Sequence, residues 1–313
     1  MTEQLQQQAR KLLDDQEVNL IIGYGEGSAR AVRAVFVRSP EETEKLILDE
    51  RCTANLAVYL NKKEIRALGK PAIVARPSVQ RSIVQLAVEN QLANGDITVI
   101  GIDDDGTLTL FSDLDKLGEH VLAQAPLRGD SPIASSGSRS ASSEASSSGE
   151  ASSSPESSAS TESPHSPESP HSPEMDEERV RKLSSLPMEE RFAFWMSEFA
   201  ECLKCYACRA ACPLCYCERC TVDCNQPQWV SVPAHPLGNL EWHVMRAMHL
   251  AGRCTECGAC YDACPVDIPL HLLTQKMHDN MEEAFGTSSG EKKDKPVFPL
   301  NSFRPDDKED FFR

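Results

Sequence analysis

Two cysteine runs beyond residue 200 constrain this chain more than any other feature. The first reads CLKCYACRAACP and the second CTECGACYDACP, and both have the spacing C-x2-C-x2-C-x3-C followed by proline. The close spacing lets the first three thiolates of a run converge on one face of a metal cluster. In two-cluster proteins with this pattern, the fourth cysteine of each run ligates the other cluster. The pattern therefore predicts two [4Fe-4S] clusters.

Crossed ligation assigns every cysteine of the two runs to one cluster. The first cluster takes Cys202, Cys205, Cys208 and Cys264. The second takes Cys254, Cys257, Cys260 and Cys212. Small residues beside the cysteines (Ala207, Gly258 and Ala259) leave room for backbone N–H groups to approach sulfur, and the prolines end each tight wrap. Structural zinc is the alternative, although four-cysteine zinc sites usually come as separated C-x2-C pairs.

A further set of cysteines directly follows the first run. It consists of Cys215, Cys217, Cys220 and Cys224. Their spacing, C-x-C-x2-C-x3-C, matches no standard metal motif, yet exposed thiols are an oxidation liability. One hypothesis is a third metal site, either Fe–S or zinc. The other is that some of these cysteines are spare or substitute ligands near the first cluster.

Composition and charge narrow the function classes. The net charge of −16 over 313 residues argues against a nucleic-acid binder, which needs a basic surface. No apolar run is long enough to span a bilayer, and the start MTEQLQQQARKLLDDQ lacks the basic-then-apolar pattern of a signal peptide. We therefore expect a cytoplasmic protein, in whose reducing environment clustered cysteines bind metals rather than form disulfides.

The chain divides into four parts by composition. Residues 1–126 carry the strand-like runs VNLIIG, AVRAVFVR, AIVAR and ITVIGI, which alternate with helix-like stretches such as PEETEKLILDE and SVQRSIVQLAVENQLANG. This alternation predicts a small α/β domain with a largely parallel sheet. Residues 127–178 are rich in Ser, Pro, Glu and Gly and are interpreted as a disordered linker. Residues 179–286 are the predicted dicluster domain, and residues 287–313 are a tail interpreted as a docking segment.

The cysteine runs are embedded in three predicted helices. The segments are PMEERFAFWMSEFAEC, HPLGNLEWHVMRAMHLAGRC and PLHLLTQKMHDNMEEAFG. In the second, Asn239 is the expected N-cap and Gly252 the expected end. The helix-rich arrangement resembles the α-helical ferredoxin domains of succinate dehydrogenase iron–sulfur proteins and heterodisulfide reductase subunits. The histidines of these segments are expected to be surface or packing residues; they are His235, His243, His249, His271 and His278.

The N-terminal part carries a second resemblance, over about residues 18–102. NLIIGYGEGSARAVRAVFVRSPEETEKLILDERCTANLAVYL resembles the deazaflavin-reducing hydrogenase/dehydrogenase β-subunit family. Together with CYACRAACPLCYCERC, it is similar to bacterial iron–sulfur subunits of heterodisulfide-reductase-like, hydrogenase or formate dehydrogenase complexes. The chain departs from this pattern where a Cys-Asp and a Pro-Cys pair are expected, because it has Ser78-Val79 and Asp103-Asp104 there. Cys52 stands alone, so no thiol-dependent catalysis is expected in this domain.

A glycine-rich stretch is the other candidate of the N-terminal domain. Gly23, Gly25 and Gly27 follow a predicted strand and could cradle a phosphate, but GYGEGSA is not G-x-G-x-x-G and an ordinary loop is the alternative. The chain also lacks the flavin-binding region expected of complete β-subunits.

The sequence thus predicts an electron-transfer subunit without an active site of its own. Its expected partners are other redox subunits: a hydrogenase, a formate dehydrogenase or a heterodisulfide-reductase-like flavoprotein. A flavin- or deazaflavin-dependent oxidoreductase with the clusters as internal relay is one alternative. A scaffold whose metals only stabilise a small fold is the other.

Overall fold

The computed structural model describes residues 1–28, 31–124, 173–224, 226–286 and 288–290. Contacts join the described residues on both sides of the 125–172 gap into one compact unit. The predicted linker lies outside the described residues up to Ser172, and the predicted docking tail lies outside them from residue 291 onwards. None of the helices in the described part is long and apolar enough to cross a membrane.

A five-stranded sheet forms the centre of the N-terminal region. The strands are β1 Leu20–Glu26, β2 Val32–Val37, β3 Pro71–Ala75, β4 Thr98–Ile102 and β5 Leu108–Phe111, and their order across the sheet is β2-β1-β3-β4-β5. Strands β1, β3 and β4 run parallel, whereas β2 and β5 pair antiparallel with β1 and β4. The sheet is therefore mixed rather than largely parallel, because the short links before β2 and β5 allow hairpins only.

Helices and short turns surround the sheet. The helices of this region are α1 Thr2–Asp14, α2 Lys63–Arg66, α3 Pro77–Val88 and α4 Leu114–Gln124, with 3-10 turns at Pro40–Lys45 and Leu56–Tyr59. Every residue of β3 and β4 is buried, as expected for central strands covered on both faces. The predicted helix PEETEKLILDE is only a 3-10 turn, because the chain after it forms a bridge between Ile47 and Tyr24 of β1.

The C-terminal region is helical, as its sequence predicts. Its helices are α5 Pro173–Ser185, α6 Met188–Ala200, α7 Ala207–Ala210, α8 Pro236–Leu250, α9 Ala259–Asp262 and α10 Leu270–Phe285, with a 3-10 turn at Thr221–Asp223. Helix α5 includes residues 173–178, which the sequence assigns to the linker. Tertiary contact explains this difference, because buried Asp176 lies 3.1 Å from Nε2 of His271 on α10.

Helix α8 begins earlier than its sequence suggests. His235 is the N-cap, and its Nδ1 accepts a hydrogen bond from the Gly238 N–H at 3.2 Å. Asn239 lies inside the helix and is fully buried, with its Nδ2 donating to the carbonyls of Phe199 at 2.8 Å and Cys202 at 2.9 Å. It therefore caps the end of α6 rather than the start of its own helix, and so fixes the entry into the first cysteine run.

Candidate iron–sulfur centre

The loops of the two cysteine runs have the same backbone conformation. Lys204 and Tyr206, two and four residues after the first cysteine of their run, have φ of 52° and 58°. Glu256 and Gly258, at the same positions in the second run, have φ of 56° and 70°. Left-handed backbone is uncommon for residues other than glycine, and it recurs where a site requires it. The two runs are therefore a structural repeat as well as a sequence repeat.

Each repeat directs backbone groups and a buried thiol toward its centre. The N–H groups of Lys204 and Glu256 donate to the sulfur atoms of Cys202 and Cys254, both at 3.4 Å. Helices α7 and α9 begin directly after the left-handed residues and carry the third cysteine of each run, Cys208 or Cys260, which is buried. N–H donors at sulfur and a shell that excludes water are the means by which a protein tunes a bound cluster.

The four cysteines predicted for the first cluster line one small cavity. Cys202, Cys205 and Cys208 come from the first run and Cys264 from the second, and Trp242 and His243 of α8 complete the walls. Burial raises the pKa of the Cys208 thiol to about 11. Cys205 is exposed, so this cavity lies near the surface.

The cysteines predicted for the second cluster also act on one another. Burial raises the pKa of Cys257 to about 11, and the neighbouring thiols of Cys212 and Cys260 act in the same direction. Burial, followed by the thiols of Cys257, Cys260 and Cys212, raises the pKa of Cys254. Cys212 belongs to the first run, yet its thiol lies close to the cysteines of the second run. A hydrogen bond from Cys215 lowers the pKa of the Cys212 thiol to about 6.

The contiguous spacing of these cysteines favours [4Fe-4S] clusters over structural zinc. Four-cysteine zinc sites usually come as separated C-x2-C pairs, whereas runs of the form C-x2-C-x2-C-x3-C-P are typical ligands of [4Fe-4S] clusters. Glu256, His278 and Asp279 are a separate group of metal-ligating side chains, with ligand atoms within 4.8 Å of one another.

The surplus cysteines are spread over several environments. Cys215 lies beside Cys212, whereas Cys217 is exposed. Cys220 and Cys224 are half-buried near the 3-10 turn Thr221–Asp223, and the Cys224 thiol donates to the Cys220 carbonyl at 3.6 Å. A third metal site here stays a prediction. Because it lies beside Cys212, Cys215 is the surplus cysteine best placed to act as a substitute ligand.

A buried arginine is the main site residue that the sequence analysis missed. Arg246 of α8 is 4% exposed, and its Nη2 donates to the carbonyl of Cys208 at 3.2 Å. Burial acts to lower its pKa, but nearby thiols outweigh this effect and raise it; they are Cys260, Cys212 and Cys208 of the two runs and Cys215 of the surplus set. The signal in the sequence was its spacing, because Arg246 lies four residues from both Trp242 and Leu250 on the buried face of α8.

The second cysteine run contacts the α/β region. Arg81 Nη2 of α3 donates to the carbonyl of Thr255 at 3.1 Å, and the hydroxyls of Ser82 and Thr255 are 2.9 Å apart. Since the Ser82 hydroxyl donates to the Ser78 carbonyl, the Thr255 hydroxyl is the donor of that pair. Asn55 Nδ2 donates to Ser82 at 2.8 Å, and its side chain also reaches the thiol of Cys257. The α/β region thus covers the loop of the second set.

An ion pair strengthens the same interface. Glu89, the C-cap of α3, accepts from Arg253 Nε at 2.8 Å and from Arg253 Nη2 at 2.6 Å. The Tyr216 hydroxyl donates to the same carboxylate at 2.6 Å, and the guanidinium carbon lies 5.2 Å from the centre of the Tyr216 ring. The Glu89 side chain is only 5% exposed and that of Arg253 22%, so this is a partly buried, bidentate pair next to Cys254.

The glycine candidates are packing residues of the sheet. Gly23 and Gly25 lie within β1, and Gly27 follows its end. A Cβ at Gly23 would lie 2.4 Å from Leu46 Cδ2, and one at Gly25 would lie 2.5 Å from Val35 Cγ1. Strand β1 is followed by β2, which pairs antiparallel with it, rather than by a helix. Cys52 is likewise in the core, fully buried, and burial raises the pKa of its thiol.

The histidines of the helical segments lie at packing, helix-capping or surface positions. His243 is buried and stacked on Phe199 at 4.5 Å between ring centres, and burial lowers its pKa to about 4. His235 caps α8, and His271 contacts Asp176. His278 is buried with its Nε2 3.2 Å from the Ser288 hydroxyl, while His249 is exposed.

Comparison with known protein families indicates which metal group the second cysteine run binds. Residues 250–269, which include the second cysteine run, match the family described as "4Fe-4S binding domain". The chain therefore contains an iron–sulfur binding segment. It holds at least one [4Fe-4S] cluster, and the matched segment covers Cys254, Cys257, Cys260 and Cys264.

Two curated proteins are also similar to this chain over part of their length. It is 32% identical over 114 residues to the F420-dependent formate dehydrogenase subunit beta of Methanocaldococcus jannaschii, which covers 35% of this chain and 29% of that protein. It is 30% identical over 96 residues to the F420-dependent formate dehydrogenase 1 subunit beta of Methanococcus maripaludis, covering 31% of this chain and 24% of that protein. The chain therefore spans less than a third of the length of these curated relatives.

Proposed function

We propose that this chain relays single electrons through two [4Fe-4S] clusters as a subunit of a larger oxidoreductase complex. The observation that carries the proposal is the cavity in which Cys264 of the second run joins Cys202, Cys205 and Cys208 of the first. This is the crossed arrangement that a two-cluster protein requires. The repeated left-handed loops support a second, equivalent site around Cys254, Cys257, Cys260 and Cys212.

Bound clusters would supply the one-electron chemistry, and the residues of the chain hold and tune them. The thiol of Cys260 in the second set is close enough to that of Cys208 in the first to act in raising its pKa. This proximity supports transfer between the two sites. The N–H groups at Cys202 and Cys254 stabilise thiolate charge, and the buried face of α8 shields the centre from water.

The partner is proposed from the relatives. Both are named as subunits of formate dehydrogenases, and a domain that only relays electrons needs another subunit to carry out the substrate chemistry. A formate dehydrogenase is therefore the first partner proposed, with a hydrogenase or a heterodisulfide-reductase-like flavoprotein as the others. A flavin within this chain has no support from the glycines of β1, which are filled by packing.

Metal and flavin analysis of protein purified anaerobically from its native extract tests the proposal. The expected result is about eight iron and about eight sulfide per chain, reducible in one-electron steps, together with a co-purifying redox subunit. Iron well above that amount would indicate that the surplus cysteines bind a third cluster. Clusters that do not change redox state would support a metal-stabilised scaffold, and bound flavin with activity in the isolated chain would support an enzyme; either result would overturn the relay.

A further inference from the structure

Arg246 carries a buried positive charge that has no carboxylate partner among the described residues. It is 4% exposed, and none of the described carboxylates forms an ion pair with it. The other arginines near the thiols are paired: Arg209 makes two bonds to Asp223 at 2.9 Å each, and Arg253 makes two to Glu89. An unpaired buried guanidinium is strongly destabilising, so its charge must be balanced by another anionic group.

The groups that face Arg246 are thiols from both cysteine sets. Cys208 belongs to the proposed first cluster site, and Cys260 and Cys212 belong to the second. Arg246 Nη2 donates to the Cys208 carbonyl at 3.2 Å, and the Arg246 charge acts to lower the pKa of the Cys260 and Cys215 thiols. Its Nε is buried and has no hydrogen-bond partner among the described residues. One guanidinium thus lies beside both sites and has donor capacity left for sulfur.

We propose that Arg246 is the shared counter-charge of the two clusters and raises the reduction potential of both. This inference rests on the proposed function, since it requires two bound clusters. Four thiolates make each site anionic, and every electron that arrives adds negative charge. A fixed cation in a low-dielectric interior stabilises that added charge, and burial keeps salt from screening it. Because the same cation faces both sites, the effect is expected on each of them.

Neighbouring cations do not provide the same field. His243, one helical turn before Arg246, is held neutral at physiological pH because burial lowers its pKa to about 4. Arg209 and Arg253 are compensated by their carboxylates. Lys204 is buried beside the first set only, with its amine bonded to the Ser231 carbonyl. Among the described residues, Arg246 is therefore the cation that reaches both sets without a carboxylate.

Potentiometric titration followed by electron paramagnetic resonance tests the proposal on the full chain. In Arg246→Gln, the ratio of reduced to oxidised cluster at a fixed ambient potential is expected to fall at least tenfold for both clusters. A tenfold change corresponds to about 59 mV for a one-electron couple. Arg246→Lys keeps the charge and is expected to recover most of the shift. The matched control Arg209→Gln removes a compensated charge, so less than a twofold change is expected.

Three results would overturn the proposal. Unchanged potentials in Arg246→Gln with both clusters present would show that the charge has no effect. A shift confined to one cluster would show that it is not shared. Should Arg246→Gln fail to retain its clusters, Arg246→Lys decides: retention with near-native potentials supports the charge, whereas loss there too assigns Arg246 a packing role. Iron and sulfide analysis of the unaltered chain separately shows whether two clusters are present.

Discussion

Cys264 is the single residue on which the crossed ligation depends most directly. It is 62 positions beyond Cys202, yet it lines the same cavity as Cys202, Cys205 and Cys208. Cys264→Ser is expected to remove or alter the first cluster, because a serine hydroxyl is a much poorer ligand for iron than a thiolate. Magnetic spectra and iron content of the anaerobic variant measure the effect.

The control for this experiment is Cys217→Ser. Cys217 is exposed and belongs to neither predicted four-cysteine set, so native spectra and iron content are expected. Damage by Cys264→Ser confined to the cluster built on Cys254, Cys257 and Cys260 would refute the crossed assignment.

The residue scale also shows where sequence reasoning reaches its limit. The spacing of the cysteines predicts three ligands of each cluster, since these lie close together along the chain. The fourth ligand of each set was predicted from the crossed ligation of proteins with this pattern. Arg246 and Asn239 were missed or misassigned, because their partners lie 38 and 40 residues away along the chain. An arginine in a helix is usually exposed and an asparagine usually caps its own helix, so neither identity reveals a buried role.

At the scale of elements, helix α3 attaches the sheet to the second cysteine run. Its C-cap Glu89 forms the bidentate pair with Arg253, and its Arg81 and Ser82 contact Thr255. Glu89→Ala is expected to lower the free energy of unfolding by roughly 3 kcal/mol, since it leaves the Arg253 charge without its carboxylate and removes the acceptor of Tyr216. Thermal or denaturant unfolding of the cluster-loaded protein measures this loss.

Glu26→Ala is the matched control for that variant. Its carboxylate pairs with Arg51 at 2.8 Å, but the Glu26 side chain is 59% exposed, so a change below about 1 kcal/mol is expected. Equal losses from the two variants would contradict the importance of the buried pair.

The helices and central strands were predictable because their patterns are local. The runs VNLIIG, AIVAR and ITVIGI read as strands and contain much of β1, β3 and β4, and α6, α8 and α10 follow helical periodicity. The hairpin partners were harder: β5 is only four residues long, and the direction of β2 depends on its pairing with β1. The start of α5 depends on the contact between Asp176 and His271, which lies 95 residues away.

At the scale of the whole molecule, the two cysteine sets differ in their access to solvent. The first set includes exposed Cys205, and exposed Leu203 lies beside it. The second set is covered through Asn55, Ser82 and Thr255 by the α/β region. We therefore expect the first cluster to exchange electrons with external partners, and the second to receive them from the first or to lie nearer an internal acceptor.

This asymmetry predicts the order in which the clusters are lost. Under mild oxidation or with an iron chelator, the first cluster is expected to disappear several-fold faster than the second, because water and reagents reach Cys205 directly. A time course of magnetic spectra, with the two signals assigned through Cys264→Ser, measures both rates. Faster loss of the second cluster would contradict the proposed cover by the α/β region.

The cavity shared by Cys202 and Cys264 also has a consequence during biosynthesis. If each run completes the other, the ribosome emits the first three ligands of a site long before the fourth. At 5–20 residues per second, the interval between Cys202 and Cys264 takes roughly 3–12 s to translate. The α/β region is already complete at that stage, ready to receive the second loop. The second set is complete only when Cys260 has emerged and the first only with Cys264. Iron delivered before the second run emerges would therefore meet incomplete sites, so insertion of both clusters is expected to wait for the second run rather than to begin with the first cysteines to appear.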